Sequence, residues 1–255
     1  MKEKIKDILR PLYRSFLAFK NRGGNIKCNI CGRGYNALRP VMGRHADGSL
    51  YLIENHIGSC WLCNSYPRMR QMWYWLYNDF KINEKKDIRL LHVAPEESIS
   101  KILRSYAGLE YTCIDKHCPG YRYPSYVKNG DILCTNFPDN FFDMVICNHV
   151  LEHIKYDKTA LREIHRILKK GGLAILMVPI DYNLNETDEE DEKEFLSPSE
   201  RERRFGQYDH VRQYGIDYFK RLQETGFEVK RITYDDEKVE SYGFQPGEEL
   251  IVCYK

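Results

Sequence analysis

The sequence lacks a long apolar run, a strong net charge and a secretory leader. Its 255 residues carry 39 Lys and Arg against 37 Asp and Glu, a formal net charge of +2. This balance predicts neither a strongly basic nucleic-acid-binding surface nor an acidic one. No apolar stretch approaches the roughly 20 residues that a membrane-spanning helix needs. Together with the missing leader, these features favour a cytoplasmic protein.

Nine cysteines are present, and in a cytoplasmic chain they argue against a disulfide framework. Four of them form two Cys-x-x-Cys pairs, Cys28 with Cys31 and Cys60 with Cys63. Two such pairs, about thirty residues apart, predict one tetrahedral zinc site with four thiolate ligands. The alternative is two unrelated pairs of free thiols. Because four sulfurs leave no open coordination position, the predicted zinc is structural, and chemistry must come from other residues.

The first 27 residues predict an N-terminal amphipathic helix. Over residues 1–20, basic residues surround apolar ones that recur at helical spacing. The helix could contact an anionic membrane surface, but docking on its own domain is the favoured interpretation. Pro11 would kink the helix or mark its start. The apolar set is Ile5, Ile8, Leu9, Leu12, Phe16 and Phe19.

The rest of the chain divides into a zinc-binding module with a bridging helix, residues 28–80, and a larger domain, residues 81–255. An aromatic-rich stretch at 66–80 predicts the bridging helix. Short apolar strands and helices then alternate, which predicts an α/β fold with a mostly parallel sheet covered on both faces. Strands are predicted at 88–93, 110–114, 144–147, 173–178, 227–234 and 249–254, and helices at 99–106, 159–168 and 214–225.

Two details of this domain are open to test. Gly171 and Gly172 follow Lys169 and Lys170, so they are expected to stop the preceding helix. Residues 182–213 form a polar insert, with an acidic run at 188–192 and a basic run at 201–204. The insert is too polar to join the sheet. It is either a solvated loop or a lid over the carboxyl ends of the strands.

The segments 142–154 (FDMVICNHVLEHI) and 161–173 (LREIHRILKKGGL) resemble the class I S-adenosylmethionine-dependent methyltransferases. A compatible layout extends over roughly residues 88–255. The resemblance implies a Rossmann-like, doubly wound, mostly parallel seven-stranded sheet that binds S-adenosylmethionine. Some bacterial methyltransferases found among polysaccharide-modifying genes are similar in two further respects, the Ala94-Pro95-Glu96 turn and the preceding Cys-x-x-Cys module.

The resemblance also implies a cofactor site. Asp115 closes a strand where the family places an acidic residue on the ribose hydroxyls, since a carboxylate can accept two hydrogen bonds from a diol. Asp131 and Ile132 fall where the family contacts the adenine, although Asp131 could instead cap a turn. Asn148 and His149 follow the fourth strand, beside the expected methionine moiety and methyl group.

The first loop departs from the family pattern. It reads Leu-Leu-His-Val-Ala-Pro-Glu over residues 90–96, with no glycine between Asp87 and Gly108. Glycines there normally allow the backbone to approach the cofactor closely. His92, Ala94 and Glu96 are the candidate contacts: Ala94 is small enough to leave room, and Glu96 could face the positive amine or sulfonium side.

A competing motif occupies the same region. His149, Glu152 and His153 match the H-x-x-E-H signature of a class of zinc proteases. That signature requires both histidines one turn apart in a helix. Here His149 follows an apolar strand directly, and the next helical periodicity begins near Lys158, so a peptidase is disfavoured.

The acceptor side is predicted in the polar, aromatic stretch at 204–215. His210 is the best-placed general base, with Asp209 or Glu152 able to orient a neighbour, and His149 and Glu152 are the other candidates. His210 could instead cap the next helix.

Three functions remain open. The first is methyl transfer to a hydroxyl of a small molecule or saccharide. The second is an RNA methyltransferase, favoured by arginines near the cysteines and opposed by the near-neutral charge. The third is a non-catalytic binding module. The arginines concerned are Arg33, Arg39, Arg44, Arg68 and Arg70.

Overall fold

The computed structural model describes residues 2–54, 56–191, 193 and 195–255, with side chains from residue 11 onwards. Helix α1 (Lys2–Lys20) leads into two small antiparallel pairs, β1 (Arg22–Lys27) with β2 (Gly34–Tyr35) and β3 (Met42–Arg44) with β4 (Leu50–Leu52). These pairs lie beside the four paired cysteines in sequence, and the segment 28–80 that contains the cysteines is called the cysteine module below.

The described apolar face of α1 is not docked. Leu12, Phe16 and Phe19 are each more than 60% exposed, whereas Ala18 is buried beside Cys28 and Cys60. The expectation that the Leu12–Phe16–Phe19 face packs on the chain's own domain is therefore wrong for these residues. The helix contacts the module through its small alanine side instead. The side chains of Ile5, Ile8 and Leu9 lie outside the described part.

The bridging helix forms as predicted, but it changes from α-helical to π-helical and then to 3₁₀-helical geometry. Helix α2 (Pro67–Tyr74) starts at a proline, whose fixed φ suits a first helical turn. A single π-helical turn (Trp75–Asp79) and a 3₁₀ turn (Ile82–Glu84) then lead to the sheet. Met72 and Leu76 are buried against one face of that sheet, so the helix joins the module to the domain by packing as well as by sequence.

The central sheet has seven strands. In chain order they are β5 (Ile88–Val93), β6 (Leu109–Asp115), β7 (Val127–Asn129), β8 (Phe142–Cys147), β9 (Leu168–Ile175), β12 (Glu228–Ile232) and β13 (Leu250–Tyr254). Their spatial order is β7-β6-β5-β8-β9-β13-β12, and β13 runs antiparallel to both of its neighbours. This confirms the mostly parallel seven-stranded sheet. The strand order reverses between β5 and β8, which is where such sheets bind ligands.

Helices cover both faces of the sheet. Along β8, Met144 and Ile146 enter one core, while Val145 and Cys147 enter the other, as the two-residue period of a strand requires. Because both faces are buried, β8 is apolar apart from Asp143 rather than alternating. One face is covered by α2 and α3 (Glu97–Leu103), and the other by α4 (Asp157–Ile167) and α6 (Tyr218–Glu224). Helix α7 (Asp236–Tyr242) has no buried residue and packs beside β1 instead.

The predicted helix stop at Gly171-Gly172 is wrong. Helix α4 ends at Ile167, and residues 168–172 already belong to β9. Lys169 donates to both carboxylate oxygens of Asp143 at 2.8 Å instead of capping a helix. Gly171, at φ +76°, lies in a stretch where the pairing of β8 with β9 shifts register, so glycine serves a bulge here.

The polar insert is a folded substructure. Strand β10 (Asp188–Glu189) pairs with β11 (Arg212–Gln213), and α5 (Pro198–Phe205) lies between them in sequence. The acidic and basic runs are paired with each other: Arg204 meets Asp188 at 2.7 Å, and Arg201 meets Glu190 at 2.9 Å. Glu192, in the same acidic run, lies outside the described residues. No helix in the described part of the chain is long and apolar enough to cross a bilayer.

Candidate active site

Two cavities open at the carboxyl ends of the strands. The smaller, of about 460 Å³, lies beyond β5 and β6, and the larger, of about 780 Å³, lies beyond β8 and β9. Asp115 lines the smaller cavity together with Pro95 and Tyr126. The larger cavity is lined by His149, Glu152, His153 and His210, among others. The sequence-predicted residues thus separate into two neighbouring groups.

Asp115 is the last residue of β6, which directs it beyond the sheet. Its carboxylate accepts from the Lys116 amide but from no described side chain, and it is only partly buried. Burial raises the pKa of Asp115 above its ordinary value. The carboxylate is therefore available to accept hydrogen bonds from a ligand in the smaller cavity.

Asp131 is differently placed. One of its carboxylate oxygens accepts from Lys116 Nζ at 2.8 Å, and the other accepts from the Leu133 amide at 2.9 Å. The geometry fits the turn-capping alternative. Ile132 beside it is 4% exposed and packs in the core.

The first loop takes a conformation suited to glycine without containing one. Ala94 has φ +47°, in the left-handed region, and its amide donates to the Ile114 carbonyl at 2.9 Å. A left-handed conformation costs an L-residue about 1–2 kcal/mol. Strain of this kind gathers at functional sites, where the surrounding structure maintains it.

His92 does not face either cavity. Its ring is fully buried, with Nδ1 2.7 Å from the Tyr111 hydroxyl and Nε2 2.8 Å from Glu96. The expectation that His92 contacts the cofactor is corrected accordingly: the ring has no surface left for a ligand, and it fixes the Glu96 carboxylate instead. Burial alone would raise the pKa of Glu96, but the hydrogen bond and charge of His92 outweigh it and the net pKa is lowered.

Asn148 and His149 follow β8. The Asn148 side chain is 6% exposed and engaged on both sides: it donates to Met72 Sδ and accepts from the Met177 amide, both at 3.1 Å. His149 has φ +53°, and its Nδ1 lies 3.2 Å from Glu152 Oε1. Its Nε2 is buried without a hydrogen-bond partner among the described residues. Of the two, His149 is the one whose side chain lines the larger cavity.

The zinc-protease geometry is absent from this described segment. Residues Leu151–His153 form a 3₁₀ turn, and the α-helix begins only at Asp157. His149 and His153 therefore do not occupy successive turns of one helix, as that signature requires.

His210 is nearly buried and lines the larger cavity, with its ring centroid 4.8 Å from that of His153. Its Nδ1 lies 3.2 Å from the Phe205 carbonyl, so this nitrogen carries the proton and Nε2 has the free lone pair. Burial lowers the pKa of His210 below its ordinary value, which favours the neutral ring. Asp209 lies beside His153 rather than His210, at 3.5 Å from His153 Nδ1.

The cavity also uses residues that sequence reasoning did not assign to it. Arg68, on α2, enters the wall, and its Nε is buried without a partner among the described residues. His56 comes from the module, and Glu248 from the loop before β13. Burial raises the pKa of Glu248 above its ordinary value. No local pattern marks these residues, because only the tertiary fold brings them together.

The four paired cysteines meet at one point. Sγ of Cys28 lies 3.6 Å from that of Cys63, and Cys31 and Cys60 are separated by the same distance. Zinc–sulfur bonds of about 2.3 Å in a tetrahedron give sulfur–sulfur edges of about 3.8 Å, so the spacing fits. Gly32 N donates to the Cys28 carbonyl at 2.8 Å and Asn64 N to the Cys60 carbonyl at 3.0 Å, which closes each loop as a knuckle.

Residues 98–176, from α3 through β9, match a family described as methyltransferase domain. The match supports a methyltransferase domain in this part of the chain.

An uncharacterised protein of Methanocaldococcus jannaschii is 48% identical over 69 residues, which are 27% of this chain and 30% of that protein. Solved structures with a similar fold include the [4+2]-cyclase SpnF, at TM-score 0.49, 16% identity and coverage of 93% of this chain and 75% of the other. An Archaeoglobus fulgidus methyltransferase has TM-score 0.46 and 16% identity, over 74% and 92%. A chain from a Haloferax volcanii complex that contains the Trm112 methyltransferase activator has TM-score 0.47 and 15% identity, over 74% and 92%.

Proposed function

We propose that this enzyme transfers the methyl group of S-adenosylmethionine to a hydroxyl of a small molecule or saccharide. The observation that carries the proposal is the pair of cavities: an available carboxylate, Asp115, lines the smaller, and a wall of imidazoles and carboxylates lines the larger. The smaller would hold the nucleoside and the larger the acceptor. The division into an N-terminal helix (1–27), a zinc-binding module (28–80) and a catalytic domain (81–255) is part of the same proposal.

On the cofactor side, Asp115 would accept hydrogen bonds from the ribose hydroxyls. The strained Ala94 turn and Glu96, held by His92, would flank the methionine moiety. Asn148 would act through the backbone it fixes, since its side chain is already engaged. Asp131 would shape the adenine end through its turn rather than by direct contact.

On the acceptor side, His149 is the proposed proton acceptor. Its Nδ1 can donate to Glu152, which leaves Nε2 with a lone pair at the end of β8, where the family places the transferred methyl. Methyl transfer from a sulfonium is an in-line displacement. Aligning the acceptor with the methyl group and excluding water therefore provides much of the acceleration. A base matters because a neutral hydroxyl is a poor nucleophile. His210, which lines the same cavity, would face the same acceptor.

The module would contribute a structural zinc, held by Cys28, Cys31, Cys60 and Cys63. Its place in the enzyme follows from His56 and Arg68, which bring the module and its bridging helix into the cavity wall. The metal would therefore support the acceptor site without taking part in the reaction.

The arginines near the cysteines do not support an RNA-binding surface. Arg70 is fully buried and Arg68 turns into the cavity. Arg39 is engaged by Ser59 and Asn64. Arg33 and Arg44 remain exposed, which is a small basic surface for gripping a polyanion.

Methyl-labelled S-adenosylmethionine, incubated with the enzyme and with separate saccharide, small-molecule and RNA fractions of a cell extract, tests the proposal. Label is expected in a non-nucleic-acid fraction, in an alkali-stable ether linkage. Label confined to RNA would contradict the acceptor class, and absence of cofactor binding by calorimetry would contradict the assigned cofactor site.

A further inference from the structure

Three ligand-type side chains converge beside the larger cavity. Glu152, His153 and His210 each offer one ligand atom, and these atoms all lie within 4.8 Å of one another. Glu152 and His153 come from the turn after β8, while His210 comes from the insert just before β11. The fold thus brings two distant segments together around one point, and all three residues line the cavity.

Both imidazoles are oriented by their Nδ1 atoms. His210 Nδ1 lies 3.2 Å from the Phe205 carbonyl, and His153 Nδ1 lies 3.2 Å from the Asp209 carbonyl. Since a carbonyl only accepts, each Nδ1 is the donor and each Nε2 has a free lone pair. A second nitrogen fixed on a carbonyl or carboxylate is the usual support for a metal-binding histidine. The Asp209 carboxylate, 3.5 Å from His153, adds to that support.

Glu152 supplies a charge that the described side chains only partly satisfy. It is 1% exposed, and its Oε1 lies 3.2 Å from His149 Nδ1. Its Oε2 is buried with no hydrogen-bond partner among the described residues. Such an atom is costly to leave without a partner, more so when charged. A cation at this oxygen would remove that cost.

We propose that Glu152, His153 and His210 hold a divalent transition-metal cation, distinct from the zinc of the cysteine module. Two imidazoles and one carboxylate suit zinc, cobalt or iron rather than magnesium or calcium, which prefer all-oxygen ligands. Three protein ligands leave coordination positions open, whereas the four-thiolate site has none. Because all three residues line the larger cavity, the open positions would face it.

The ligand class that the cation would take follows from this geometry. A hydroxyl, or two adjacent hydroxyls of a saccharide, would fill the open positions. When bound there, the cation acts as a Lewis acid and lowers the pKa of the hydroxyl. The hydroxyl proton then passes to His149 Nε2, the carbon–oxygen bond forms as the carbon–sulfur bond breaks, and neutral S-adenosylhomocysteine leaves. This step rests on the proposed function, but cation binding does not.

The site is tested with Co²⁺ on the full-length protein, with the cysteine module kept loaded with zinc. Calorimetry should show one Co²⁺ per chain, and the visible spectrum should show nitrogen and oxygen ligands without thiolate charge transfer. Glu152→Gln and His210→Asn should each weaken Co²⁺ binding at least tenfold. His56→Asn is the matched control, a histidine of the same cavity outside the cluster, and should bind Co²⁺ normally.

His153, the exposed member of the three, provides a variant least able to disturb folding. His153→Asn should also lose at least tenfold in Co²⁺ affinity, while its circular dichroism and zinc content stay unchanged.

Equal Co²⁺ affinity in the wild type and all three cluster variants would overturn the site. Co²⁺ binding without methyl transfer to any hydroxyl would leave the cation site standing and contradict the proposed function. Hydroxyl methylation that is unaffected by chelation and by Glu152→Gln would leave the proposed function standing and contradict the cation's part in the reaction.

Discussion

Arg70 Nη1 donates a 2.6 Å hydrogen bond to the carbonyl of Ser65, two residues beyond the last cysteine of the module. The same guanidinium donates to the carbonyls of Gly58, Tyr242 and Gly243, so it ties both the second cysteine loop and the loop before β13 to α2. Burial lowers the pKa of Arg70 below its ordinary value. One side chain therefore ties the module to the loop that leads into the central sheet.

Replacing this arginine should be costly. Arg70→Met removes a donor from four carbonyls, and we expect a loss of more than about 3 kcal/mol in the free energy of unfolding. Denaturant unfolding measures the loss. Arg70→Lys should recover only part of it, because an ammonium cannot reproduce the guanidinium fork. Arg33→Met, on the exposed surface of the same module, should change stability by less than about 0.5 kcal/mol. An Arg70→Met protein as stable as wild type would mean that packing alone positions the module.

The cysteine module should contain one zinc per chain. Cys60→Ser should lower both zinc content and soluble yield, because metal binding contributes to the folding free energy. Elemental analysis of protein purified without chelator measures the first quantity. Cys134→Ser, at an exposed cysteine outside the cluster, is the control and should retain full zinc. Zinc-free wild-type protein with normal solubility would rule out the metal assignment.

Cofactor binding should depend on Asp115 far more than on Asp131. Asp115→Ala should weaken S-adenosylmethionine binding by about 1–3 kcal/mol, because the ribose hydroxyls lose a charged acceptor. Asp131→Ala should cost the binding less than about 1 kcal/mol, since both carboxylate oxygens already serve Lys116 and the turn. Calorimetry on the two folded variants measures their affinities for S-adenosylmethionine. The opposite ranking would place the adenine amine on Asp131.

His149 and His210 should differ in how their variants can be rescued. His149→Asn should keep cofactor affinity but lose about 10² to 10⁴ in turnover, the usual contribution of a positioned base. Added Co²⁺ should not restore it. His210→Asn should also lose turnover, yet excess Co²⁺ should restore a part, because a weakened cation site can be refilled. Near-normal turnover in His149→Asn, together with a loss in His210→Asn that Co²⁺ cannot rescue, would assign the base to His210 instead.

The ion pairs of the insert should contribute less to the free energy of unfolding at acid pH. Burial would raise the pKa of Glu189, but its ion pairs with Arg221 and Arg212 outweigh this and the net pKa is lowered. A carboxylate with a lowered folded-state pKa stabilises the protein above its unfolded pKa, near 4.3, and loses that contribution as the pH falls through the folded value. Glu189→Gln should therefore flatten the loss of stability below about pH 5. Glu237→Gln, at an exposed glutamate of α7, should leave the profile unchanged; an identical profile for both variants would show that the ion pairs contribute nothing.

The sequence predicted most of the sheet because its central strands β5 and β8 are largely buried on both faces and are mostly apolar. Strand β5 has the predicted bounds, and the predictions for β6, β8 and β13 differ from the structure by two residues or fewer at either end. The edge strand β7 was missed because three residues carry too short a pattern. Strand β9 was misplaced because Gly171 and Gly172 are equally suited to a helix stop and to a bulge.

The candidate site was predictable only where one residue is placed by its strand. Asp115 and His149 each stand at the end of a parallel strand, and topology alone directs them to the carboxyl edge. The engagement of His92 with Tyr111 and Glu96 depends on contacts with a neighbouring strand and a turn. His56, Arg68 and Glu248 come from three distant segments of the chain. Their convergence therefore cannot be predicted from the spacing of residues in the sequence.

If the module binds zinc as proposed, the bridging position of Arg68 and His56 would give the larger cavity a wall whose integrity depends on metal supply. If the cysteine thiols were oxidised or stripped of zinc, the catalytic domain would retain its own cores, but this wall would lose its scaffold. The nucleoside end, built on β5 and β6, would be spared. Zinc starvation or oxidative stress would then produce an enzyme that still binds its methyl donor but no longer discriminates among acceptors.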